Sequence, residues 1–306
     1  MRHFLSLSDY STEELTTLLD LAVELKKEFK STGHNFPELS NKVLAMVFQK
    51  PSLRTRVSFD MAMRHLGGDA LYLSPNEIGL GKRESIADVS RVLSGYVDAI
   101  MARVFEHAHI LELAEYAGVP VINGLSDFNH PCQAMADVLT IYERFESFDG
   151  LKLTFVGDGN NVAVSLLFAA VKFGFNITIA TPQGYGLSSQ VIAQAQDINE
   201  MQVEILQSDD PQAAVKKANV IYTDTWVSMG QEEEQKKREA VFPPFQVNQE
   251  LLSLASKEAI VLHCLPAHRG QEITDKVADG AHSRIFEQAE NRMHAQKAIV
   301  MHLLTK

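Results

Sequence analysis

Two cysteines, Cys132 and Cys264, are the only thiols in 306 residues. They are too few and too far apart for a disulfide framework or a metal–thiolate site, and they point to a reducing compartment. No apolar run is long enough for a membrane span, and none near the first residues reads as a signal peptide, so a cytoplasmic protein is expected. Positive charge is in deficit: 28 Lys and Arg against 39 Asp and Glu give 28 − 39 = −11. That balance argues against nucleic acid or an anionic membrane as partner. An anionic ligand would have to be drawn by a local cluster of arginines. Low-complexity tracts and short fixed repeats are absent too. What remains, 45% hydrophobic and 22% charged, is ordinary for a soluble globular protein. The length favours two domains.

Both familiar phosphate-binding glycine patterns are also missing. The stretch Pro51-Ser52-Leu53-Arg54-Thr55-Arg56 follows an apolar strand, Lys42–Phe48, and enters a helix stopped by Gly67-Gly68, yet no Gly-Lys-Ser/Thr is present. Gly157-Asp158-Gly159-Asn160-Asn161 also follows a strand. Val162 stands in place of the third glycine, and Ala180-Thr181-Pro182 lacks an acidic residue for a ribose. A nicotinamide enzyme is therefore not the expected reading. The 51–56 turn still suits a phosphate, because free helix amides, the Ser52 and Thr55 hydroxyls and the Arg54 fork all donate. Taken alone, it fits a capped helix with surface arginines equally well.

Strands and helices alternate along the whole chain, which predicts α/β architecture with parallel sheets covered on both faces. A capping box at Ser11-Thr12-Glu13-Glu14 opens the first helix. Residues Ser74–Glu84 read as a polar, glycine-containing flap. The rhythm restarts after Glu146–Gly150, giving two doubly wound domains of similar size, 1–147 and 148–286. A final helix, 287–306, is expected to return to the first domain. In such sheets ligands sit beyond the carboxyl ends of the strands. Most of the unusual residues fall there.

Arg103 ends an apolar strand and reads as a ligand clamp, since burying it unpaired is costly. His130 and Gln133, three apart at a helix start, can face one ligand, with His130 polarising a carbonyl. Asn161 offers a neutral hydrogen-bonding group. Asp224, before Thr225-Trp226-Val227-Ser228-Met229-Gly230, suits an ammonium, although a turn aspartate is the plainer reading. Cys264 is either a reactive thiol, given positive charge nearby, or a small buried hydrophobe. Leu265, before Pro266, should be extended. His107 and His109 read as solvated loop residues, Glu232–Arg238 as a solvated charged face, and Arg292 as a third possible arginine for the ligand, although a helix-surface ion pair is the plainer reading.

Taken together, these segments resemble the ornithine carbamoyltransferases over nearly the whole chain. The family's Ser-Thr-Arg-Thr-Arg is present as Ser52-Leu53-Arg54-Thr55-Arg56 and its His-Pro-x-Gln as His130–Gln133. Its Asp-x-Trp-x-Ser-Met-Gly is present as Asp224–Gly230 and its His-Cys-Leu-Pro as His263–Pro266. The first two are shared with the aspartate carbamoyltransferases; the last two point to ornithine. The resemblance implies transfer of a carbamoyl group from carbamoyl phosphate to the side-chain amine of ornithine, giving citrulline and phosphate, as in arginine biosynthesis and the urea cycle. It implies that Ser52, Leu53 (by its backbone), Arg54 and Thr55 hold the phosphate. Arg103, His130, Gln133 and Arg292 would hold the carbamoyl and phosphate oxygens, helped by the main chain of Cys264 and Leu265. Asn161, Asp224, Ser228 and Met229 would hold ornithine, with Cys264 beside the reacting amine and Cys264, Arg54, Arg103 and His130 as the catalytic set. It further implies a homotrimer or an assembly of trimers, with no metal and no cofactor. Two departures stand out: Leu53 replaces a Thr, and Gly79 stands where relatives often carry a Gln. Putrescine and N-acetylornithine remain alternative acceptors, and a non-catalytic metabolite-binding regulator is a third reading.

Overall fold

The computed structural model describes residues 2–227 and 232–305. Contacts divide the chain into two units, residues 1–139 with 290–306, and residues 140–289. In chain order the first unit begins with α1 (Thr12–Thr32), β1 (Val43–Phe48), α2 (Leu53–His65), β2 (Asp69–Leu73) and α3 (Pro75–Ile78). It continues through α4 (Ile86–Ser94), β3 (Ala99–Arg103), α5 (His107–Tyr116), β4 (Val121–Leu125) and the first part of α6 (Pro131–Phe145), which runs on into the second unit. Next come β5 (Lys152–Val156), α7 (Asn161–Phe173), β6 (Asn176–Ala180), α8 (Ser189–Asp197), β7 (Ile205–Ser208) and α9 (Pro211–Val215). The last elements are β8 (Val220–Thr223), α10 (Gln235–Val241), α11 (Gln249–Ser253), β9 (Ile260–His263), α12 (Asp275–Ala278) and α13 (Ile285–Leu304).

Each unit is built on one wholly parallel sheet, in the order β2-β1-β3-β4 and β7-β6-β5-β8-β9. The central strands are apolar without alternation because helices cover both faces; β3 and β9 are buried at every position. The capping box at Ser11 and Glu14 forms as the sequence predicts, and Gly33 closes α1 in the left-handed conformation. The last part of α13, from Glu290, groups with the first unit. Among the described residues no helix is long and apolar enough to cross a membrane.

Three local expectations are corrected. The 74–84 flap is not wholly irregular: Ser74 and Glu77 form a second capping box, which starts the short helix α3, and Gly79 ends it at φ 52°. His107 opens α5 instead of lying in a loop, with Nδ1 2.8 Å from the Ser126 hydroxyl. His109 is likewise engaged, by Gln49. Leu265 is not extended but sits at φ 60°, because its N–H turns back 2.9 Å to Nδ1 of His263.

Candidate active site

In each sheet the chain winds outward in both directions from one pair of strands, so the loops leaving that pair diverge and leave a crevice. In the first unit the pair is β1 and β3, with Phe48 registered against Arg103. The crevice is therefore flanked by the turn after Phe48 and by Arg103 itself. Ser52 caps α2, its hydroxyl accepting the Thr55 N–H at 3.3 Å and donating to Thr55 Oγ1 at 3.0 Å. Thr55 is fully buried and is the hub of the site. Its Oγ1 also receives Arg103 Nη1 at 3.5 Å and Arg292 Nη2 at 2.5 Å. Arg292 reaches Gln133 Oε1 as well, at 3.3 Å, and Gln133 is held in turn by its donation to Asp137 at 2.8 Å. Arg292 is thus buried inside the site and not a surface ion pair.

His130, buried at the start of α6, senses this crowd. Burial, reinforced by Arg292, Arg103, Lys50 and Arg54, holds its imidazole well below the usual histidine range, so it is neutral near pH 7. Lys50 was not picked out from the sequence. It is 7% exposed, its Nζ lies 5.0 Å from the Phe105 ring, and burial together with Arg103 pushes its pKa down to about 8. Four cations converging on one neutral histidine make a cradle for a multiply charged anion. Leu53, 76% exposed, contributes its position at the start of α2 and no polar side chain.

The second unit repeats the topology with different chemistry. Here the switch lies between β5 and β8, with Val156 registered against Thr223, and β9 follows with Thr223 against His263. The residues just beyond these strand ends are Asp158 to Asn161, Asp224 and Cys264. Asp224 is buried, and among the described residues Asn160 Nδ2 donates to it at 2.7 Å and the Cys264 thiol at 3.1 Å. Asn160 also caps α7, its Oδ1 accepting the N–H groups of Val162 and Ala163 at 3.0 and 3.2 Å. Asn161, the sequence candidate, is the first residue of α7; its neighbour Asn160 makes the bond to Asp224. Ser228 and Met229 lie outside the described residues.

Gly159 explains why the glycine pattern here resembles a nucleotide loop. A Cβ at this position would come within 2.7 Å of the Tyr185 carbonyl, and the Gly159 N–H donates to that carbonyl at 2.8 Å. The glycine is needed for a close backbone approach within the protein.

Behind Cys264, His263 is locked in one tautomer. The Leu265 N–H donates to Nδ1, so Nε2 carries the proton and donates to buried Glu272 at 3.0 Å. Asp224, His263 and Cys264 bring ligand atoms within 4.8 Å of one another, a spacing that could suit a metal ion. Both His263 ring nitrogens are already engaged, so the trio serves hydrogen bonding.

Family models match both parts of the chain. Residues 2–143 match the aspartate/ornithine carbamoyltransferase carbamoyl-P binding domain, and residues 149–303 match the Asp/Orn binding domain. The chain belongs to the aspartate/ornithine carbamoyltransferase family. Among its relatives, the ornithine carbamoyltransferase of Anoxybacillus flavithermus is 53% identical, covering 99% of this chain and 96% of that relative. The anabolic ornithine carbamoyltransferase of Pyrococcus furiosus is 52% identical over 98% of this chain and 95% of its own. A solved structure of ornithine carbamoyltransferase from Pyrococcus furiosus superposes with a TM-score of 0.96 at 51% identity, covering 99% of this chain and 97% of that one. The Thermus thermophilus structure gives 0.89 at 44% identity, with 98% of each chain covered.

Proposed function

We infer that this protein transfers the carbamoyl group of carbamoyl phosphate to the side-chain amine of L-ornithine, giving L-citrulline and phosphate. The observation that carries the reading is the pairing of opposite chemistries on matching switch points: a cationic cradle in one unit and a buried carboxylate with neutral donors in the other. The relatives named as ornithine carbamoyltransferases along nearly the full chain support it.

In this reading Ser52, Thr55, Arg54, Arg103, Arg292 and the backbone at Leu53 hold the phosphate, and His130 and Gln133 hold the carbamoyl group. A neutral His130 can donate one N–H to the carbamoyl oxygen without adding another cation. As the amine attacks, charge grows on that oxygen, and Arg103 and His130 stabilise it where water is displaced; one well-placed donor of this kind contributes roughly 2.7–4 kcal/mol. The departing phosphate stays neutralised by the arginines. Only a neutral amine attacks, and freeing it from a pKa of about 10.4 near pH 7.5 costs roughly 4 kcal/mol at 1.36 kcal/mol per unit. Asp224 would oppose that deprotonation if it faced the reacting amine. It therefore binds the α-ammonium, with Asn161, Ser228 and Met229 around the substrate and Cys264 beside the reacting amine, while the Cys264–Leu265 main chain helps hold the carbamoyl phosphate. The family's homotrimer, or an assembly of trimers, and a cytoplasmic setting complete the proposal; no cofactor is called for.

The test is citrulline formation from carbamoyl phosphate at about pH 8, with ornithine, putrescine, N-acetylornithine and aspartate offered as acceptors. Turnover with ornithine is expected. Turnover with putrescine alone would remove the need for an α-ammonium partner and with it the role of Asp224.

A further inference from the structure

Arg238 lies in the charged run that reads as solvated in the sequence, yet in the structure it is 5% exposed. Its Nη1 spends its two hydrogens on two different segments: one bonds Asp158 Oδ2 at 2.9 Å, the other the Trp226 carbonyl at 2.9 Å. Nε donates to Glu234 at 3.0 Å. The guanidinium is enclosed by aromatic rings, with centroids at 5.0 Å for Tyr185 and 5.7 Å for Phe242. Phe242 also packs 5.8 Å from the Trp226 ring.

Both segments that Arg238 ties together end in the amine-side site. Asp158 is two residues before Asn160, the donor to Asp224 Oδ2, and Trp226 is two residues after Asp224 itself. We propose that Arg238 is a positioning residue for the amine substrate, joining the turn after β5 to the segment after β8 and so fixing where Asp224 stands. This rests on the reading that Asp224 binds ornithine. Stability is a poor alternative explanation, because a buried ion pair gives little or nothing over a well-packed apolar pair of similar volume. Its distinctive property is geometric: a planar fork can hold a carboxylate and a carbonyl from two segments at fixed angles.

Arg238→Met, Arg238→Lys and the pair Asp158→Asn with Arg238→Met separate the alternatives. Steady-state KM for ornithine and for carbamoyl phosphate would be measured beside the emission of Trp226, the only tryptophan in the chain. Arg238→Met is expected to raise the ornithine KM tenfold or more, leave the carbamoyl phosphate KM within twofold and shift the Trp226 emission. Arg238→Lys should recover part of the loss. The double variant removes the stranded carboxylate, so it folds even where the single one does not, and it should still show a raised ornithine KM and the shifted emission. A double variant with the wild-type ornithine KM would show that Arg238 merely neutralises Asp158 and would overturn the inference. A wild-type protein that makes no citrulline would overturn the functional reading itself, a separate outcome visible before any variant is made.

Discussion

The two units solve the same topological problem with opposite chemistry. Both sheets switch direction at a strand pair, β1 with β3 and β5 with β8, and both place a capped helix just beyond, α2 or α7. In the first unit the cap is Ser52, whose 3.3 Å bond to the Thr55 N–H is long and whose hydroxyl points on to Thr55 Oγ1. In the second it is Asn160, which takes two helix amides and hands its own amide to Asp224. One helix end is left for an incoming anion; the other is already filled by a side chain. A shared fold therefore predicts where ligands sit, and the capping residue with its neighbours decides their charge.

The sharpest way to break this contrast is to remove a cation from the first unit. Arg103→Ala should lower kcat/KM for carbamoyl phosphate by two to three orders of magnitude, roughly the loss for one well-placed donor to a developing oxyanion, while ornithine binding changes little. Steady-state kinetics with each substrate varied would show it, and a loss below tenfold would sink the assignment. On the other side, Asp224→Asn should raise the ornithine KM by roughly ten- to a hundredfold, the value of a charge-assisted bond, and leave the carbamoyl phosphate KM alone. Equal effects on both substrates would dissolve the division of labour.

Lys50 gives a finer, pH-dependent test. With its pKa lowered to about 8, it is charged below that pH and attracts the anion; raising the pH through 8 removes the charge. The carbamoyl phosphate KM should therefore rise on the alkaline side of about 8, and the inflection should vanish in Lys50→Met. The smallest effect is expected at Leu53→Thr. That side chain is apolar and 76% exposed, so both KM values should stay within twofold.

Local features of this molecule were legible in the sequence. The strands, the Ser11 capping box, the Ser52 turn and the carboxylate after β8 follow from patterns within a few residues. The edge strand β7 is weakly marked in the sequence, because its pattern is half-exposed and a neighbouring strand sets its register. Arg292 reads most simply as a surface ion pair from its own segment, since its partner Thr55 is 237 positions away. Arg238, Lys50 and Asn160 were passed over for a related reason. Burial belongs to a residue's surroundings, and a lysine or arginine among charged neighbours reads as solvated until the fold encloses it. The missed residues are those whose meaning depends on distant segments.

The filled end of α7 also bears on how the finished reaction is sensed. Inorganic phosphate is both a product and an abundant solute, and any helix terminus with open amides can capture it. Because Asn160 Oδ1 occupies the Val162 and Ala163 amides, phosphate has no foothold on those two groups at the start of α7. Product inhibition by phosphate should then be borne by the cationic cradle of the first unit, so that a rising phosphate level is countered by supplying more carbamoyl donor.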